Sequence, residues 1–101
     1  MKDSRFELTA GARLDVLSIW NHLAEEASIE VADYVLRDIE KAIEKVVESP
    51  GIGHSRQDLT NRALLFYRVH SYFVVYRRDT VPLRVVRVIH GAQDIGTLLG
   101  N

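Results

Sequence analysis

Apolar residues recur every three to four positions through most of the first half of the chain and alternate through most of the second. The first period is that of a helix and the second that of a strand. Phe6 and Leu8 alternate with charged neighbours and predict a short opening strand. Thr9 is placed to N-cap a helix over about 10–25. Ala12, Val16, Ile19, Trp20 and Leu23 form its buried stripe, so Trp20 reads as core. Leu14, Leu17 and Ala24 widen that stripe and imply contact on more than one side. Ser28 caps a second helix with Ala32, Val35, Leu36, Ile39, Ile43 and Val46 on one face. The other face is charged, and Asp33 precedes Arg37 by four residues, a weakly favourable pair. Ser49-Pro50-Gly51 ends this helix, because proline disfavours helical geometry in the residue before it. The short Glu26-Ala27 link makes the two helices an antiparallel hairpin.

Residues 51–62 read as a polar loop. Beyond it, residues 63–69, 72–78 and 83–90 are rich in Val, Ile, Tyr and Phe and predict a meander of three strands. His70-Ser71 is short enough for a tight hairpin turn, although the favoured Asn-Gly is missing. Pairing Val69 with Tyr72 puts Phe66, Arg68, Phe73, Val75 and Arg77 on one face. Leu65, Tyr67, Val69, Tyr72, Val74 and Tyr76 share the other, which is assigned to the helical hairpin. Pairing Arg78 with Leu83 then places Arg84, Val86, Val88 and His90 with the arginines. A slip of one residue would reverse these faces. Residues 93–99 form a short helix or an extended tail. The expected fold class is α+β. An N-terminal strand and antiparallel helical hairpin pack on an antiparallel sheet of three to four strands, in one domain over 1–101.

Composition narrows the class. At 101 residues and 47% hydrophobic content, a single domain with a real core is expected. No cysteine is present, which fits a reducing cytoplasm. Met1-Lys2-Asp3-Ser4-Arg5 opens no apolar run, so no signal peptide is expected, and no apolar stretch is long enough to span a membrane. The formal net charge of −1 hides an asymmetry. Residues 1–50 carry six basic and eleven acidic side chains; residues 51–101 carry seven basic and three acidic. All seven of the later cations are arginines, whose planar forks suit carboxylate and phosphate. They read either as a recognition surface for an anion or as solvated strand faces and edge protection.

Enzyme signatures are weak. His22, His54, His70 and His90 lack metal-ligand spacing, so no metal is expected. Gly51-Ile52-Gly53 lacks the lysine or third glycine of a phosphate loop, no serine stands in a nucleophile elbow, and no cofactor is expected.

The chain resembles the RelE/ParE toxin superfamily, and its ParE branch in particular. The resemblance rests on Leu8-Thr9 followed by Ala12, Asp15, Ile19 and Trp20; on Ser49-Pro50-Gly51-Ile52-Gly53; and on Tyr72-Phe73-Val74-Val75-Tyr76-Arg77. Its strongest piece is Arg87-Val88-Ile89-His90-Gly91-Ala92-Gln93-Asp94, close to that branch's Arg-Val-Leu-His-Gly signature. One departure is His54, where the family often has arginine; Arg56 stands nearby to compensate.

The resemblance implies the toxin of a type II toxin–antitoxin pair that inhibits DNA gyrase and arrests growth. It implies a cognate antitoxin, ParD-like and often carrying a ribbon-helix-helix domain, in a hetero-oligomer with the toxin. The expected antitoxin contacts are Leu17, Trp20, Leu36, Arg68, Arg77, Arg84 and Arg87. The expected target contacts are Arg56, His90, Gln93, Asp94 and Leu98. A RelE-like alternative would cut mRNA on the ribosome with His90, Arg68, Arg77 and Tyr76 or His54. Against it, no lysine follows position 45 and no tyrosine follows position 76. His90 also reads as a strand-end residue bonded to a backbone group. A further alternative is a degenerate member that only binds antitoxin and regulates the operon. Direct nucleic-acid binding is not expected of a slightly negative chain.

Overall fold

The computed structural model describes residues 5–100; the N-terminal residues 1–4 and Asn101 lie outside them. Strand β1 (Phe6–Leu8) leads into helix α1 (Ala10–Glu26), which turns back as α2 (Ile29–Glu48). Strands β2 (Leu65–Val69), β3 (Tyr72–Arg77) and β4 (Leu83–His90) follow, then one helical turn, α3 (Ile95–Leu98). Thr9 and Ser28 cap their helices as expected, accepting from the Ala12 and Val31 N–H groups. β2 starts at Leu65 rather than residue 63, because the Leu64 N–H bonds locally to the Arg62 carbonyl and the Leu64 side chain is buried. The sheet order is β1-β4-β3-β2. β1 joins β4 in parallel and the other pairs are antiparallel, so the sheet is mixed. Among the described residues, no helix is long and apolar enough to cross a membrane.

The expected β2–β3 register is observed, with Val69 opposite Tyr72 and Phe66 opposite Val75. His70 makes the turn at φ 54, a left-handed conformation that costs a non-glycine residue energy. Its Nε2 lies 2.7 Å from Asp38 Oδ2 of α2, an ion-pair-type contact that helps hold the turn.

The β3–β4 register departs from expectation. Tyr76 faces Val85, but Val75 faces Arg87, so Val86 is an extra residue in a β-bulge. From there the alternation is shifted by one. Val88 and His90, expected among the arginines, fall on the helix side with Val74 and Tyr72, and Arg87 and Ile89 replace them. The bulge is docked onto α1. The Thr9 hydroxyl donates to the Val86 carbonyl at 2.6 Å and the Thr9 N–H to the Val85 carbonyl at 3.1 Å.

Two cores result, one on each side of the sheet. On the helix side Ala12, Val35, Ile39, Ile43 and Val46 pack against Val74, Tyr76, Val85 and Val88. On the other side the 51–64 loop and α3 bring Leu64, Ile95 and Leu99 over Phe66, Val75 and Ile89. Burying such side chains contributes roughly 1.5–3 kcal/mol each, which is why a one-turn helix stays attached.

Candidate functional site

Two surfaces gather the residues singled out from the sequence. The first is an apolar groove of about 480 Å³ formed by the helical hairpin and the end of β1, lined by Leu8, Arg13, Val16, Leu17, Trp20 and Leu36. The wide stripe of α1 explains it. Val16, Ile19 and Leu23 turn inward and pack on the core, whereas Leu14 and Leu17 remain 65% and 57% exposed. Trp20 is therefore not core. Its indole N–H donates to Asp33 Oδ1 of α2 at 2.9 Å, laying the ring across the hairpin. That bond engages the Asp33 expected beside Arg37. The expected contacts Leu17, Trp20 and Leu36 thus meet in one groove.

The four arginines expected beside them do not join it. Arg77 and Arg84 face each other across β3 and β4, each tied to its own carboxylate, Asp79 at 2.8 Å and Glu7 at 3.0 Å. Arg68 lies on the far side of the sheet, its guanidinium 5.9 Å from the Phe73 ring centroid. Arg87 is architectural. Its Nε and Nη2 donate to the two oxygens of Asp15 at 2.6 and 2.8 Å, and its Nη1 donates to the Leu98 carbonyl at 3.1 Å. Asp15 also accepts from the Val88 N–H. One fork thereby joins α1, β4 and α3, and the carboxylate raises the Arg87 pKa above its ordinary value. The sequence signal for this pair was an aspartate beside the apolar stripe of α1, and its structural role was missed.

The second surface is a cleft of about 410 Å³ on the sheet side away from α1 and α2, where Arg56, Arg68 and Gln93 converge with Ser71 and Phe73. His90, at the end of β4, lines both this cleft and a pocket beside Ser18, Ile19 and His22 of α1, with its ring against Tyr72. Three of the expected target contacts, Arg56, His90 and Gln93, are thus together. The other two are not in its wall. Asp94 N-caps α3, and Leu98 packs against the second core. His90 bonds to backbone as one sequence reading held, its Nδ1 accepting from the Ala92 N–H at 3.0 Å. Its ring meets Tyr72 edge-on at 5.2 Å.

The nuclease candidates are dispersed. Tyr76 is buried; its hydroxyl donates to the Pro50 carbonyl at 2.7 Å and accepts from the Gly53 N–H at 3.0 Å. Burial raises its phenol pKa. His54 holds the chain to β2 through a two-way backbone bridge with Phe66. Arg77 is occupied by Asp79, whose carboxyl that guanidinium lowers below the usual range. Only Arg68 and His90 of that set share the cleft.

The comparisons agree with this architecture. The family described as the ParE toxin of type II toxin-antitoxin system, parDE, matches residues 6–95. The chain is similar to Toxin ParE1 of Caulobacter vibrioides, 27% identical over 95 residues that cover 94% of this chain and 97% of that one. It is also similar in fold to a solved chain of a chromosomal ParDE TA system from P. aeruginosa. There the TM-score is 0.72 at 15% identity, covering 84% of this chain and 92% of that chain.

Proposed function

The chain belongs to the ParE toxin family of type II toxin–antitoxin systems, and from that premise we propose that it is a cytoplasmic toxin that inhibits DNA gyrase by binding and is neutralised by a cognate antitoxin. The observation that carries the antitoxin half is the groove of Leu8, Val16, Leu17, Trp20 and Leu36. An amphipathic helix laid in such a groove would cover the exposed Leu17 and the Trp20 ring. The alternative of strand addition at β2 is less favoured, because His54 already pairs with Phe66 on that edge.

The target half rests on chemistry. Cutting RNA by acid–base catalysis needs one group to take a proton and another to give one. Among the described residues lining the cleft, His90 is the one imidazole and none carries a carboxyl or phenol to act as a second acid–base group, and Tyr76 is sealed under the Pro50–Gly53 loop. This supports a protein that holds its target rather than one that cleaves RNA.

Purified chain is expected to block gyrase supercoiling and leave mRNA intact in a translation reaction, with added antitoxin restoring supercoiling. Cut mRNA with normal supercoiling would transfer the function to the nuclease reading. Neither effect, with antitoxin still bound, would leave a regulator that has lost its target.

A further inference from the structure

The cleft on the sheet side away from α1 and α2 gathers three of the expected target contacts, but the toxin reading assigns no small ligand to its chemistry. We propose that it is a binding site for a single nucleotide, with the phosphate held by Arg68 and Arg56 and the base stacked beside Phe73. The inference goes beyond the assignment of a target and stands whether or not gyrase is that target.

The donors are countable. Arg68 donates its Nε to the His70 carbonyl, which orients the fork and leaves both terminal amino groups available. Arg56 engages Asp58 through Nε and Nη2, leaving Nη1. Gln93 accepts from the His90 N–H through Oε1, so its amide nitrogen remains to donate. Among the described residues no carboxylate is in the lining, and the Asp58 carboxylate is held by Arg56. A pocket of donors with no acidic wall selects an anion, and guanidinium forks select phosphate geometry.

The apolar part of the lining requires more than an anion. Phe73 is held edge-on by the buried Phe66 at 6.0 Å, and the Arg68 guanidinium sits 5.9 Å from its centroid. Leu59 and Ile95 close the wall. Aromatic and guanidinium faces are platforms on which nucleobases stack. A volume of about 410 Å³ is of the order of one nucleotide. The whole-chain charge of −1 disfavours a long polyanion but not one phosphate in a locally cationic cleft. A free mononucleotide and the terminal nucleotide of a strand share this chemistry.

The test is calorimetric titration of the full chain with AMP, adenosine, inorganic phosphate and a short 5′-phosphorylated oligonucleotide. AMP is expected to bind saturably, with adenosine and phosphate each at least tenfold weaker. Arg68→Gln and Arg56→Gln keep the stem and are expected to weaken AMP by about tenfold each, the typical worth of a charge-assisted hydrogen bond. Arg37→Gln, on the solvent side of α2, should change nothing. An oligonucleotide tighter than AMP assigns the site to a strand end; a weaker one assigns it to a free nucleotide. Binding of AMP no tighter than phosphate, or unaffected by Arg68→Gln and Arg56→Gln, overturns the proposal. Loss of nucleotide binding with supercoiling inhibition intact removes this inference alone; nucleotide binding without gyrase inhibition removes the gyrase reading alone.

Discussion

The two sides of the sheet are covered by very different elements. On one side lie α1 and α2, of 17 and 20 residues, and under them Val74, Tyr76, Val85 and Val88 are sealed. On the other side a loop and a one-turn helix cover Phe66, Val75 and Ile89, reach part of Phe73 and leave Arg68 exposed. A long cover finishes a sheet face and moves any binding surface to its own exposed residues, where Leu17 and Trp20 stand. A short cover leaves the sheet's polar side chains at the water boundary, where they can act. An apolar groove and an arginine-bearing cleft are thereby separated on different sides of a small domain.

The most disruptive way to break this comparison is to cut the seam between the sides. Arg87→Ala removes the fork that joins α1, β4 and α3 and leaves the Asp15 carboxylate, 15% exposed, facing only the Val88 N–H. A loss of about 3 kcal/mol is expected in urea unfolding. Arg87→Lys keeps the charge but not the fork and should still lose about half of that. Unchanged stability in both would show that the seam is ornamental.

Next is the groove. Leu17→Glu puts a charge where a partner helix is expected to desolvate the site, and should weaken antitoxin by about thirtyfold, roughly 2 kcal/mol. Because Leu17 is exposed in the isolated chain, its thermal midpoint should hardly move. Tyr76→Phe is smaller. It strips a buried hydroxyl from the Pro50 carbonyl and the Gly53 N–H and should cost about 1.5 kcal/mol, with no new effect on RNA.

The smallest effect concerns the exposed pairs. Arg77 lowers the Asp79 carboxyl below its usual range, so any stability this adds is present at neutral pH and lost as pH falls through that lowered value. Both groups are well exposed, so the effect should be visible as a titration rather than as unfolding. In Arg77→Gln the Asp79 carboxyl resonance should titrate at the ordinary aspartate value; an unmoved midpoint would rule out the guanidinium as the cause.

How legible this was in the sequence depended on the kind of signal. Helix limits were legible because Thr9, Ser28 and Pro50 punctuate the chain. The hairpin register was legible because Val69-His70-Ser71-Tyr72 allows only a short turn. The bulge was not. Val86-Arg87 carries no glycine or other local mark, and the extra residue is stabilised from far away by Thr9 and Asp15. Missing it misassigned Val88 and His90 and hid the role of Arg87. The groove residues were found together because they share helix stripes, whereas the cleft depends on how the 51–64 loop and α3 return to the sheet.

The separation of the two sides is most directly tested by a gyrase supercoiling assay with Leu17→Glu chain in the presence of antitoxin. The account predicts that supercoiling stays blocked, because the antitoxin has lost its seat while the target-facing side is intact. Full rescue by antitoxin at the concentration that rescues wild type would contradict it and move the antitoxin off the groove.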